Sequence, residues 1–260
     1  MKKFSIVARD DRESLLIAKD IQRRLFNGAM SYSEKQPDIV CVVGGDGAFL
    51  TAVHKYINQL DSVAFAGINT GTLGFFIDYT VDQLDRFIDD ILNKEPEIER
   101  RRLLQADVIS EKGRKSYLGI NEIRVENMLK TQTIDVYIND EKLETFRGSG
   151  LSVSSQAGST AYNRALKGAV IERGLEVLQL VEVAGIHHAH YRSLGAPLVL
   201  SGNNTIVMKS NYVETSLLCF DRYAINLKGA DTVAVSLSDV TFGIAHYEPV
   251  QFMRNLSNLF

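Results

Sequence analysis

Ile39-Val40-Cys41-Val42-Val43, followed at once by Gly44-Gly45-Asp46-Gly47, leaves few folds open to this chain. Five apolar, mostly β-branched residues in a row are the pattern of a strand buried on both faces. The glycines stop the run, and Phe49, Ala52, Val53, Tyr56 and Ile57 then recur at helical spacing. Strand, glycine turn and helix in succession build parallel α/β sheets. Such a turn presents backbone N–H groups at a helix N-terminus, where anions are favoured. Gly44, Gly45 and Gly47 place no Cβ in the path of a ligand. Asp46 stands among them. A carboxylate here repels phosphate unless a metal or a hydroxyl intervenes. The turn therefore suits an acid acting on a hydroxyl beside a phosphate donor. It equally suits a plain turn with Asp46 as N-cap, and GGDG alone does not choose.

The flanking sequence extends the α/β pattern. Phe4 to Ala8 reads as a strand, and Asp10-Asp11 caps a helix with its apolar stripe at Leu15, Leu16, Ala18, Ile21 and Leu25, ended by Asn27-Gly28. Ser62 to Gly67 is a third strand, leading into a second glycine loop, Asn69-Thr70-Gly71-Thr72-Leu73-Gly74-Phe75. Val81 to Leu92 is an amphipathic helix with Leu84, Phe87, Ile88 and Ile91 inward. Both glycine turns fall at the carboxyl ends of predicted strands, where open α/β sheets bind ligands.

After Glu95-Pro96 the texture changes. The charged cluster Glu97 to Arg102 reads as a linker or as a strand entering a new sheet. Beyond it, short runs of period two predict strands at 104–109, 116–125, 134–138 and 142–146, with a hairpin turn at Asn139-Asp140-Glu141. Gly148-Ser149-Gly150 breaks the pattern, and Leu151 to Ser155 is a further strand. Strands follow at 177–183, 197–200, 204–209, 216–220, 233–237 and 240–245, and 250–260 looks helical. The expected architecture is an α/β domain over residues 1–98, completed by 238–260, and a β-rich domain over 99–237.

Composition excludes several classes. A net charge of -3 and a pI near 6.0 show no basic excess of the kind nucleic-acid binding uses. No apolar run approaches the roughly 18 residues of a membrane span. The two cysteines, Cys41 and Cys219, lie far apart inside apolar runs, as buried hydrophobes of a reducing compartment. A cytoplasmic location is expected.

Three further stretches offer chemistry. Counting by two through Leu118 and Ile120 places Glu122 on the apolar face of its strand and Asn121 on the other. A core-facing carboxylate needs a partner or a ligand, and an amide beside it suits ribose hydroxyls and an adenine edge. A polar pair on an edge strand is the plainer alternative. Gly158-Ser159-Thr160-Ala161-Tyr162 joins a strand to a short helix. It could hold a phosphate or a base amide, with Tyr162 stacking on the base, or could serve as N-cap and core. His187, His188 and His190 near Arg192 lack acidic companions in sequence, so a solvated or interface segment outweighs a metal site. Asp221 reads as a turn residue or a polar contact.

In this order, Gly44-Gly45-Asp46-Gly47, Gly71-Thr72-Leu73-Gly74-Phe75, Asn121-Glu122 and Gly158-Ser159-Thr160-Ala161-Tyr162 resemble the NAD kinase family over most of the chain, from the first strand to about Asp221. Phe146-Arg147-Gly148 and Tyr162-Asn163 look most like its shorter Gram-positive members. GGDG alone is shared with lipid kinases and phosphofructokinases; the later motifs are more specific. The resemblance implies phosphorylation of the adenosine 2′-hydroxyl of NAD to NADP by ATP or polyphosphate with Mg²⁺, in a homodimer or homotetramer. It implies Asp46 as general base, with Gly44, Gly45 and Gly47 against the dinucleotide and the donor phosphates. Asn121 and Glu122 would contact adenosine, and Thr160, Ala161 and Tyr162 would line the base pockets with Phe75 nearby. Arg147, Ser149, Asn163, Ala165 and Ala184 fall at further nucleotide-binding positions. No protein metal ligand is implied.

The chain also departs from the family pattern. Ser149 stands where an aspartate is usual, Gln156 where a proline is, Lys167-Gly168 where two glycines are, Ala165 where a serine is common, and His187-His188 where asparagines are expected. These changes leave open a catalytically weak or inactive nucleotide-binding paralogue, and GGDG alone leaves a lipid kinase.

Overall fold

The computed structural model describes residues 2–71, 74–187, 193–249 and 252–257. Its contacts divide the chain into two units, Met1–Arg101 with Val240–Phe260, and Arg102–Asp239.

In chain order the first unit begins with β1 (Lys3–Ala8), α1 (Arg12–Asn27), β2 (Ser31–Tyr32), β3 (Ile39–Val43), α2 (Asp46–Lys55), β4 (Ala64–Asn69), β5 (Tyr79–Thr80) and α3 (Leu84–Asn93). Asp11 caps α1, accepting a bond from the Ser14 N–H. β6 (Glu97–Ser110) then carries the chain into the second unit. That unit holds β7 (Gly113–Gly119), β8 (Glu122–Glu126), β9 (Gln132–Ile138), β10 (Glu141–Ser155), α4 (Tyr162–Ala165), β11 (Val177–Gly185), β12 (Leu198–Ser201), β13 (Ile206–Lys209), β14 (Leu217–Phe220) and β15 (Tyr223–Asn226). β16 (Ala230–His246) returns to the first unit, where α5 (Phe252–Ser257) follows.

The first unit is a parallel sheet. β1 lies between β2 and β3, β3 pairs with β4, and β4 also takes β5 and, through Gly243 and Ile244, the end of β16. All five residues of β3 are buried, as a strand covered by helices on both faces requires. Phe4, Ile21, Leu25, Ile68, Phe87 and Ile91 belong to one core cluster of this unit. Elsewhere in the unit Phe49 stacks on Phe76 at 4.8 Å and meets Phe65 and Phe242 at 5.6 and 6.0 Å. At ~25 cal/mol per Å² of apolar area, aromatic side chains of this size dominate such a core.

The second unit is antiparallel and built around β10. Its first half pairs with β9, its second half with β8, and β11 runs along its other edge. Leu104, Ile123, Ile134, Phe146, Val153 and Val233 are fully buried within its core.

Four expectations need correction. Residues 116–125 form two strands, because the N–H groups of Ile120 and Asn121 turn to the Asp221 carboxylate at 2.8 Å and leave the ladder. The period-two count therefore fails across that break, and Asn121 and Glu122 are both buried. Gly148-Ser149-Gly150 does not interrupt β10, which runs through fifteen residues. The glycines are there for close approach: a Cβ on Gly150 would overlap the Val125 carbonyl. The predicted strands 233–237 and 240–245 are one strand of seventeen residues, since Ser238 and Asp239 stay in extended backbone. β2, β5 and β15, of two to four residues each, were not anticipated. Of the predicted helix at 250–260, residues 252–257 are described and helical.

Candidate active site

In the first unit the GGDG turn sits where β3 gives way to α2. Gly44 has φ +147, and a Cβ there would strike the Ala48 Cβ, so only glycine fits. Gly45 precedes the first helical residue, Asp46, and offers no side-chain cap. Asp46 is therefore not the N-cap. Its carboxylate instead accepts the N–H of Phe75 at 2.9 and 3.2 Å and that of Phe76 at 3.2 Å. Burial pushes the Asp46 carboxyl above the usual carboxylate range, while these two N–H groups and the Arg101 charge pull the other way. A carboxylate has about four acceptor sites, so capacity remains for a further proton donor. Among the described residues, and leaving out the chain neighbours and the helix's own backbone, a Cβ on Gly45 or Gly47 would meet no atom within 4 Å. Both leave bare backbone beside Asp46.

The second glycine loop follows β4. Gly74 lies so close to Asp46 that a Cβ there would overlap the carboxylate. Asn69 is buried, and its side chain accepts the Gly71 N–H at 2.8 Å. Thr70 shares a hydrogen bond with Ser14 at 2.9 Å. The Phe75 ring lies 5.9 Å from that of Phe252 in α5. Thr72 and Leu73 lie outside the described residues.

In the second unit, Asn121 and Glu122 stand at the start of β8. Ser155 fixes the turn, its N–H bonding the Asn121 carbonyl and its hydroxyl the Ile120 carbonyl. Gly158 lets the next turn lie flat on Asn121, since a Cβ would overlap that carbonyl. Among the described residues, Asn121 Oδ1 and Glu122 Oε2 are buried without a hydrogen-bond partner. Buried polar atoms are seldom left so, which marks them as ligand-facing candidates. Burial raises the Glu122 carboxyl to about 7, against the pull of Arg124. The Arg124 guanidinium lies 4.2 Å from the centre of the Tyr162 ring and donates to Glu126 at 2.8 Å. One face of Tyr162 is thereby occupied. Thr160 and Ala161 adjoin it, partly buried.

The remaining candidates have the following surroundings. The Asn163 amide donates to the carbonyls of Ser159 and Ala169, a role in holding the turn. Ala165 is exposed at the end of α4. Ser149 offers its carbonyl to Asn127 and Gln132, and Arg147 its carbonyl to Ile186. Ala184 has φ +47, beside Gly148. Gln156 donates to the Ile171 carbonyl at 3.0 Å. Lys167 takes φ +67, a conformation glycine adopts more readily. His187 does have an acidic companion, Glu182 at 3.6 Å; His188, His190 and Arg192 lie outside the described residues.

Sequence reasoning missed Arg101, placed in the charged cluster, and gave Asp221 as a turn residue first. Asp221 is both, with φ +49 and its carboxylate on two backbone N–H groups. A positive charge four residues inside a run that resumes a β pattern was the available signal for Arg101. Among the described residues no three His, Cys, Asp or Glu side chains converge as a metal site, and no helix is long and apolar enough to cross a membrane.

Comparison with known proteins bears on family and fold. The family model of the ATP-NAD kinase N-terminal domain matches residues 7–96, and that of the ATP-NAD kinase C-terminal domain matches 121–247. An NAD kinase of Geobacillus stearothermophilus is 33% identical over 260 residues, covering 99% of this chain and 96% of its own. One from Lactobacillus gasseri is 31% identical over 259 residues, covering 99% and 97%. In fold, the chain is similar to yeast NADH kinase complexed with NADH, with TM-score 0.87, 15% identity and coverage of 100% and 87%. It is likewise similar to an NAD kinase from Archaeoglobus fulgidus in complex with ATP, with TM-score 0.76, 20% identity and coverage of 98% and 97%. With both family models matched in order and relatives above 30% identity along nearly its whole length, the chain belongs to the NAD kinase family of phosphotransferases.

Proposed function

We propose that Asp46 is the general base of NAD phosphorylation in this chain, taking the proton of the adenosine 2′-hydroxyl as that oxygen attacks the terminal phosphoryl group of ATP. The new O–P bond replaces the bond to the departing ADP, and the proton rests on Asp46 Oδ. The observation that carries this is the Asp46 carboxylate itself. It is held by two backbone N–H groups, raised above the usual carboxylate range by burial, and set beside Gly45 and Gly47, where a Cβ would meet no atom of the described residues beyond the turn's own neighbours. A raised pKa makes a carboxylate a stronger base.

Asn121 Oδ1 and Glu122 Oε2 are proposed to accept from adenosine hydroxyls and base N–H groups, with Thr160, Ala161 and Tyr162 lining the base pocket and Phe75 nearby. The donor's phosphates are proposed to meet the backbone of the GGDG turn at the head of α2, as the chain has no Walker A sequence. The described residues form no cage for Mg²⁺. The cation is proposed to arrive on the donor's phosphates, where it neutralises their charge. Polyphosphate as donor and a homodimeric or homotetrameric state extend the same proposal. The intact cradle of Asp46 favours this reading over a non-catalytic paralogue.

The test is NADP formation from NAD, ATP and Mg²⁺ by a cycling assay, with Asp46→Asn alongside. The wild type should form NADP, and the variant should lose about a hundred- to ten-thousand-fold in turnover while calorimetry shows NAD binding retained. Undiminished turnover in Asp46→Asn would remove it from the role.

A further inference from the structure

Near Asp46 the first unit contains a partly buried chain of charge that the reaction as written does not use. The Arg101 side chain is 9% exposed. Its guanidinium lies 5.6 Å from the centre of the Phe76 ring, and Phe76 is one of the two residues whose N–H holds Asp46. Asp46 and Arg101 act on each other electrostatically, each stabilising the other's charge. Arg101 is gripped by Glu99 through two contacts, Nε at 2.8 Å and a terminal nitrogen at 3.2 Å. Glu99 in turn meets His246 Nε2 at 2.9 Å, and His246 Nδ1 meets Asp78 at 2.5 Å. The imidazole is 6% exposed. Each ring nitrogen therefore faces a carboxylate oxygen.

Three carboxylates share this cluster with one guanidinium and one imidazole. Asp78 and Glu99 face His246; Asp46, Asp78 and Glu99 face Arg101. His246 engages both Asp78 and Glu99, so these two carboxylates do not have Arg101 as their sole partner. Without His246, both would turn to Arg101 and compete with Asp46 for its charge. The four residues come from the approach to β5, from β6 and from β16, so the cluster exists only in the folded unit. Burying a guanidinium this deeply is costly unless it is paired, and a shorter apolar side chain would serve packing on Phe76 alone.

We propose that Arg101, gripped by Glu99 and through it by His246, is a positioning residue for phosphoryl transfer, supplying the buried positive charge against which the Asp46 carboxylate works. This rests on Asp46 being the base. Burial lowers the Arg101 guanidinium only to about 10, so it remains charged at neutral pH.

The experiment is the pH profile of kcat for Arg101→Met, Arg101→Lys and His246→Gln, with melting temperature and the Michaelis constant for NAD recorded for each. Removing an opposite charge raises a carboxyl pKa. The acid limb of Arg101→Met should therefore move to higher pH. Its turnover should recover at alkaline pH, and its Michaelis constant for NAD should hold. Arg101→Lys should restore most of the limb's position. His246→Gln should move it in the same direction by less. A role confined to packing leaves the limb where it is, and an unmoved limb in folded Arg101→Met overturns the proposal. If that variant does not fold, an unmoved limb in His246→Gln overturns it. Asp46→Asn separates the two ideas: turnover retained there defeats the base, whereas turnover lost there with an unmoved Arg101→Met limb defeats only the positioning role.

Discussion

Gly74→Ala tests the geometry of Asp46 without touching a functional side chain. Gly74 is not among the glycines with positive φ, so alanine suits its backbone. The obstacle is the Asp46 carboxylate. A Cβ at this site would stand more than about 1 Å inside van der Waals contact with both oxygens, where ordinary contact begins at 3.4 Å. Either the loop or the carboxylate must give way, and both movements break the bonds from Phe75 and Phe76. A misplacement of about 1 Å at a reacting group costs roughly a hundredfold in rate, equivalent to ~2.7 kcal/mol. Stability moves less, since Gly→Ala at a compatible site gains about 0.4–1 kcal/mol through the unfolded chain, offsetting part of the hydrogen bonds lost. NADP formation at saturating NAD and ATP should fall about a hundredfold, and the melting temperature should stay close to wild type. Losing two donors also raises the Asp46 carboxyl, so the acid limb of kcat should move to higher pH. Wild-type kcat with an unmoved limb would show that the amide cradle does not set the working position of Asp46.

Gly47→Ala separates folding from ligand contact: in the helix it should add up to ~1 kcal/mol of stability, yet binding of NAD or ATP by calorimetry should weaken, and full affinity would mean that no ligand approaches this backbone. Lys167→Gly should raise the melting temperature by about 1–4 °C, because a left-handed L-residue costs roughly 1–2 kcal/mol, partly offset by glycine's own entropy; an unchanged or lower melting point would refute strain at this turn. Glu122 binds its proton more tightly when folded, about 7 against an ordinary 4.5, so stability should decline as pH rises through that interval. Glu122→Gln should flatten the decline in a series of melts, and an unaltered slope would assign it to another group.

The parts of the molecule legible in sequence are those fixed by short-range pattern. β3 and the GGDG turn follow from a β-branched run meeting glycines, and α3 from its apolar stripe; the structure adds buried Asp90, satisfied by Tyr79 and Lys94. What stayed hidden depends on distant partners. Arg101 reads in sequence only as part of a linker or an entering strand, because Glu99 is two residues away but His246 is 145 residues further on. Asp221 acquires meaning only from the N–H groups of Ile120 and Asn121, a hundred residues earlier. β10 was cut at its glycines because close approach between strands leaves the same mark in sequence as a turn.

The return of β16 has a consequence for biosynthesis. Residues 102–239 are completed before Val240 leaves the ribosome, so the second unit has all its strands while the first still lacks one. Until Gly243 and Ile244 arrive, β4 has no partner along that stretch of its edge. An unpaired parallel edge is a template for association with other chains. His246 and Phe242 are supplied by the same late segment. The nascent protein thus cannot assemble the surroundings of Asp46 until that segment has been made.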